Sequence, residues 1–200
     1  MYLEDLIEKK WKLDEDNSRG KLYCLMPEFN DHCYLHELCK NIDMKMYDDF
    51  ENALGIKLLP ELKNFYKNYN GCRLFMSSIN IFGLNYKDSF PLDFAINDFN
   101  GHASYNFTKD ELKDIVIFGS VGDDHLWYKQ SEINNPKIYL TAEKNKEPIK
   151  TFDSIKSMFE YYFDLLYPEY DSKGYRKHPD AQFIELELPF YANKFWGEIN

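Results

Sequence analysis

Apolar positions along this chain follow two different spacings, and the changes from one to the other fall at glycine and proline. Leu3, Leu6, Ile7 and Trp11 share one face of a helix. The polar stretch 14–20 predicts a loop, and residues 21–26 a strand stopped by Pro27. From Asp31 the pattern is helical again, with Leu38, Ile42, Met46, Phe50 and Leu54 recurring every four residues and a break expected near Asn41. Gly55 suits the left-handed position that closes a helix, having no Cβ to clash there. Pro60 fits the first turn of a further helix, Glu61 places negative charge at the positive end of its dipole, and Leu62, Phe65, Tyr66 and Tyr69 make one apolar face. Asn70-Gly71 is the predicted helix stop, followed by strands at 74–76 and 79–84.

Strand-like text continues beyond. Asn100-Gly101 is a hairpin signal between 95–99 and 104–107, after turn chemistry at 88–91. Residues 115–118 are a short continuous apolar run bounded by Gly119, as expected of a strand buried on both faces. Residues 126–129 and 137–141 read as its neighbours, joined through Asn134-Asn135-Pro136. Thr151 is placed to cap a helix whose stripe is Phe152, Ile155, Phe159, Tyr162 and Leu166, with Pro168 just past its end. In the tail, loops at 171–174 and 178–180 precede a strand in which Ile184, Leu186 and Leu188 alternate with Phe183, Glu185 and Glu187, giving an acidic outer face.

The order of these short motifs is more informative than any one of them. Leu54-Gly55-Ile56, Leu59-Pro60-Glu61, Phe65, Tyr69-Asn70-Gly71 and Ile81-Phe82-Gly83-Leu84 continue into Ile117-Phe118-Gly119, Gly122-Asp123, Ile138-Tyr139-Leu140 and Thr151-Phe152-Asp153-Ser154. The series resembles the SUKH superfamily, the domain type of yeast cell-wall-synthesis regulators and of many bacterial immunity proteins. The resemblance covers about residues 43–166 and implies a single α+β domain, a mostly antiparallel sheet covered on one face by helices. Residues 1–42 and 167–200 would be extensions of that domain. The resemblance also implies stoichiometric binding of a cognate bacterial toxin, with a nuclease as one candidate activity of that toxin. It implies no catalytic residue and no cofactor. A regulatory adaptor is the other role the same fold serves.

Composition narrows the choice. A chain of 200 residues can bury a core large enough to need no disulfide or metal. Its four cysteines, Cys24, Cys33, Cys39 and Cys72, form no Cys-x-x-Cys pair, which fits thiols in a reducing cytoplasm. The first ten residues lack the basic and apolar blocks of a secretory signal, and no apolar stretch is long enough to span a bilayer, so a soluble cytoplasmic protein is expected. A net charge of −10, from 34 acidic and 24 basic side chains, opposes binding to nucleic acid. Acidic excess serves solubility, but it also suits a surface that mimics phosphate charge toward a basic toxin. Asp93, Asp98, Asp123, Asp124, Glu185 and Glu187 lie on or beside predicted strands among Phe94, Phe99, Trp127 and Tyr128. Those six carboxylates and Tyr128 are the candidate partner-binding residues; Trp127 is expected in the core, and for Tyr128 the alternation leaves core or surface open.

Two clusters raise the question of chemistry. Cys33, His36 and Cys39 could begin a metal site, but tetrahedral zinc draws ligands from two separated segments, and Cys24 alone is a poor fourth ligand. Asp123-Asp124-His125 could serve a metal-dependent hydrolase, yet the triplet follows Gly122 in a turn, where Asp is favoured for bonding nearby backbone. No Gly-x-Ser-x-Gly elbow or Gly-rich phosphate loop occurs.

Overall fold

The computed structural model describes residues 2–16, 20–25, 34–41, 49–52, 55–84, 107–142 and 147–177. Helix α1 (Tyr2–Glu8) precedes strands β1 (Asp14–Asp16), β2 (Gly20–Leu25) and β3 (Tyr34–Lys40). Residues 49–52 are helical. Helix α2 (Pro60–Tyr66) leads into β4 (Tyr69–Leu74) and β5 (Ile79–Ile81). After these come β6 (Ile115–Val121), β7 (Asp124–Lys129), β8 (Ile138–Thr141), β9 (Lys150–Phe152) and helix α3 (Ile155–Leu166). The nine strands form one sheet whose spatial order is their chain order, and each neighbouring pair is antiparallel. The fold is therefore α+β, as expected.

The helices gather on one face. Phe163 of α3 and Trp11, just past α1, both pack on His36 of β3, with ring centroids 6.1 and 5.0 Å away. Phe163 also meets Phe75, and Tyr162 meets Phe152 of β9. Helix α3 buries Ile155, Met158, Phe159, Tyr162, Phe163 and Leu166 at helical spacing. Helix α2 buries Leu62, Phe65 and Tyr66, and the Tyr66 hydroxyl donates to the carbonyl of Phe82 at 2.7 Å. Glu51 ties the helical run 49–52 to α2: one carboxylate oxygen accepts the Leu58 N–H at 2.6 Å and the other the Lys63 ammonium at 2.7 Å. Gly55 has φ +65°, the left-handed conformation expected of it, and the Ile56 N–H donates back to the Glu51 carbonyl at 3.2 Å.

Several expectations are corrected. Residues 34–40 are a strand, where a helical period was read. The strand is buried on both faces, so Leu35, His36, Leu38 and Cys39 are all buried, and its pairing with β4 shifts register between Leu38 and Lys40; Ile42, Met46 and Leu54, which carry the helical period onward, lie outside the described residues. The polar stretch 14–20 contributes β1 and the start of β2, which pair as a hairpin. Asn70-Gly71 lies inside β4, and α2 has already ended at Lys67. Gly71 has φ +95°, and a Cβ there would fall 2.7 Å from the carbonyl oxygen of Ile81. Asn70 accepts the N–H of Leu84 at 2.7 Å and donates to its carbonyl at 3.2 Å, replacing a strand partner with a side chain. The pair thus serves close backbone approach rather than a helix end.

Gly119 lies within β6 instead of bounding it, because a Cβ there would fall 2.4 Å from the Asn80 carbonyl. Ser154, not Thr151, caps α3, exchanging hydrogen bonds with Ser157 in a capping box, while Thr151 belongs to β9. The strand expected at 74–76 stops at Leu74. The hairpin at Asn100-Gly101 and the strand at 183–188 lie outside the described residues.

Candidate functional site

Two hairpin tips meet at one end of the sheet. The β4–β5 turn and the β6–β7 turn are joined by the N–H of Gly122 donating to the carbonyl of Ser78 at 2.9 Å. The first of these turns is strained. Phe75, Met76 and Ser77 have φ values of 50°, 55° and 67°, three consecutive side-chain-bearing residues in the left-handed region. Each such residue costs of order 1 kcal/mol or more. The surroundings hold them there. Met76 N–H donates to the Leu35 carbonyl at 2.9 Å, and the Ser78 N–H and hydroxyl both donate to the Phe75 carbonyl, at 3.1 and 2.7 Å. The Asn80 amide donates to the Ser77 carbonyl at 2.8 Å, and Phe75 N–H reaches the Nδ1 of His36 at 3.4 Å. The Phe75 ring is fully buried among Trp11, His36, Phe163 and Tyr170. The tip's ring is thus in the core and its backbone is bonded to β3, β5 and the neighbouring turn.

What the two tips present is a small mixed surface. Ser77 is exposed, and Met76, Ser78, Gly122 and Asp123 are half-buried. Asp124, which opens β7 opposite Val121, is buried. Of the six carboxylates expected to meet a partner, Asp123 and Asp124 are therefore at this tip, Asp123 half-buried and Asp124 buried. Asp93, Asp98, Glu185 and Glu187 lie outside the described residues.

The hydrolase alternative lacks convergence. Successive strand residues point to opposite faces, so Asp124 and His125 diverge. His125 belongs instead to a polar row on the face away from α3: Glu37, Arg73, Asn80, Ser120, His125 and Thr141 are register partners across six adjacent strands. Asn80 donates to the Ser120 hydroxyl at 3.2 Å, and Thr141 accepts the Trp127 indole N–H at 2.8 Å. Asn80, Ser120 and Thr141 are buried, so this row organises the interior of the sheet.

Tyr128, the expected anchor, is 0% exposed. Its hydroxyl donates to the Lys57 carbonyl at 2.8 Å and its ring faces Phe118, so it joins β7 to the segment before α2 and offers nothing to a partner. Burial, and after it the nearby Glu51, push its phenol well above the usual range. Trp127 is in the core as expected, stacked on Tyr139 and edge-on to Phe107. Beside it Tyr139 donates to Glu132 at 2.7 Å, and burial together with that carboxylate raises its hydroxyl to about 12.

His36, weighed as a zinc ligand, is buried in the aromatic cluster of the strand–helix face. Burial, then the adjacent Cys39, raise the Cys72 thiol well above its ordinary value, which disfavours the thiolate a metal needs. Among the described residues no group of three or more His, Cys, Asp or Glu is arranged to hold a metal, and no helix is long and apolar enough to cross a membrane.

The strained turn was missed by sequence reasoning because Phe-Met-Ser carries none of the glycine or asparagine that ordinarily marks positive φ. No curated protein and no solved structure matches the chain. A family model described as SMI1 / KNR4 family (SUKH-1) matches residues 41–161, more than half of the chain. That span contains α2, strands β4 to β9 and the first part of α3, and with them both hairpin tips; the chain belongs to the SMI1/KNR4 family (SUKH-1).

Proposed function

We propose that the protein is an immunity protein that binds a cognate bacterial toxin stoichiometrically and blocks it. Family membership carries this reading, since the family works through protein partners. The net charge of −10 supports a basic toxin domain as that partner, because opposite charge accelerates encounter. The test begins with the neighbouring gene. Where a large polymorphic toxin is encoded immediately upstream, expression of its C-terminal domain should kill a host cell, and co-expression of this chain should restore growth. Growth arrest that persists despite a folded, abundant chain would remove the immunity reading and leave the adaptor role.

A further inference from the structure

We propose that the groove lined by Lys9, Lys10 and Lys12, with Lys177 beside it, binds a small anion carrying two or more phosphate groups. This site is independent of the immunity reading. Two basic segments far apart in the chain, both outside the family-matched span, build it: residues 8–12 and 169–177 hold six basic and three acidic side chains, on a chain of net charge −10. The fold holds them together. The Lys10 ammonium donates to the carbonyls of Tyr167, at 2.6 Å, and Tyr170, and the Trp11 indole N–H donates to that of Asp171 at 3.0 Å. The second segment folds back on itself, with the Lys177 N–H donating to the Glu169 carbonyl at 2.8 Å.

The groove has a volume of about 390 Å³, within the range of small-ligand sites, and is lined by Glu8, Lys9, Lys10, Trp11 and Lys12. Lys9, Lys12 and Lys177 are exposed, and among the described residues none of the three has an ion pair or a side-chain hydrogen bond. Lys10 is held among them by its two carbonyls. Burial, and after it the positive charge of Lys177, hold the Lys10 pKa below its ordinary value, with Asp171 opposing them. Like charges gathered in this way repel one another, and an anion with several phosphates relieves the repulsion by meeting several ammonium groups at once. The surrounding charge limits the length of the occupant. Along the chain the three lysines lie between Glu4, Asp5 and Glu8 of α1 and Asp14, Glu15 and Asp16 of β1, so a long polyanion such as a nucleic acid is met by carboxylates on either side. A compact polyphosphate, or a nucleotide sharing its phosphate chemistry, avoids them.

The test is isothermal titration of the full chain with tripolyphosphate and with ATP, both free of magnesium and compared with sodium chloride at matched ionic strength. Lys9→Gln with Lys12→Gln should weaken binding of the phosphates about ten-fold, and Lys177→Gln about three-fold. Lys113→Gln with Lys156→Gln, which removes the same charge from exposed positions elsewhere, should leave affinity within about two-fold. Lys9→Arg with Lys12→Arg keeps the charge and should bind as the wild type does. If the Gln double variant fails to fold, Lys177→Gln, outside α1, carries the comparison. Tighter binding of ATP than of tripolyphosphate would identify a nucleotide as the source of the phosphates and any other order an inorganic polyphosphate; either result supports the site. Titration heats no larger than those of sodium chloride, or unchanged affinity in the folded Gln variants, would overturn it. A single-stranded RNA that binds more tightly than either small anion would overturn it in favour of nucleic acid.

Discussion

The Glu61 carboxylate, in the first turn of α2, accepts a 2.7 Å hydrogen bond from the backbone N–H of Ile155, the first residue of α3. One carboxylate thus lies in the first turn of one helix and against the N-terminus of another, where two sets of unpaired N–H groups and two helix dipoles favour negative charge. Glu61→Ala should therefore cost about 1 kcal/mol and lower the melting temperature by about 2–4 °C. Glu61→Gln keeps an acceptor and should lose less. Equal melting temperatures for wild type and Glu61→Ala would remove this link from the account of the fold.

Gly71→Val should destabilise far more. The substitution places a β-branched residue at φ +95° and a Cβ 2.7 Å from the Ile81 carbonyl, a backbone atom that cannot swing aside. A loss of more than about 3 kcal/mol in denaturant unfolding is expected. Stability within error of wild type would mean that β4 and β5 are spaced differently.

Acid should weaken the protein through His36. Burial lowers its pKa from 6.5 to about 3, so the folded state leaves the imidazole neutral in a range where the unfolded chain protonates it. The unfolded state then binds more protons, and stability falls as pH drops from 6.5 toward 3, by roughly 1.4 kcal/mol per unit. The urea midpoint should be level from pH 7 to 8 as far as this group is concerned and should decline below 6.5. An imidazole resonance that titrates near its ordinary value in the folded protein would contradict the packing around His36. At the alkaline end the sign reverses: burial raises the Tyr170 phenol to about 12, so its contribution is complete below pH 10 and is lost as pH climbs through 12.

Trp11→Ala tests whether the segment before the family-matched region is integral to the fold. The indole is buried against His36, Phe75 and Tyr167, and its N–H donates to the Asp171 carbonyl at 3.0 Å. Removal should cost about 3–5 kcal/mol while unfolding remains a single transition. Two separated transitions in the wild type, or a negligible effect of the substitution, would show that α1 is a separate appendage.

The elements that were legible in the sequence are those in which period and burial agree. The body of helix α3 is legible because one of its faces is apolar and the other is not, although Thr151 and Phe152 belong to β9, and the first half of β6 because a strand buried on both faces is an unbroken apolar run. Strand β3 was misread for a physical reason. The four-residue period of Leu38, Ile42, Met46, Phe50 and Leu54 runs from β3 into the helical run 49–52, which extends a helical reading back over a strand buried on both faces, in which His36 is a core ring. Asn70-Gly71 carries the composition of a helix stop, and only the proximity of Ile81 and Leu84, distant in sequence, gives the pair its other use. Tyr128 could not be assigned to core or surface, because its partner Lys57 is 71 residues away. Asp123 was singled out from its charge and its turn, and the strained neighbour that gives it a setting was invisible.

Because each of the nine strands pairs with its neighbour in the chain, pairing can follow the order of synthesis, closing tight turns at β4–β5 and β6–β7 but longer connections, 41–68 and 82–114, before β4 and β6 can join. The N-terminal segment is the exception. Lys10 donates to the carbonyls of Tyr167 and Tyr170, and Trp11 to that of Asp171, so these residues wait for acceptors synthesised about 160 residues after them. Until Asp171 has emerged, the ring of Trp11 and the left-handed turn it helps to hold lack part of their packing.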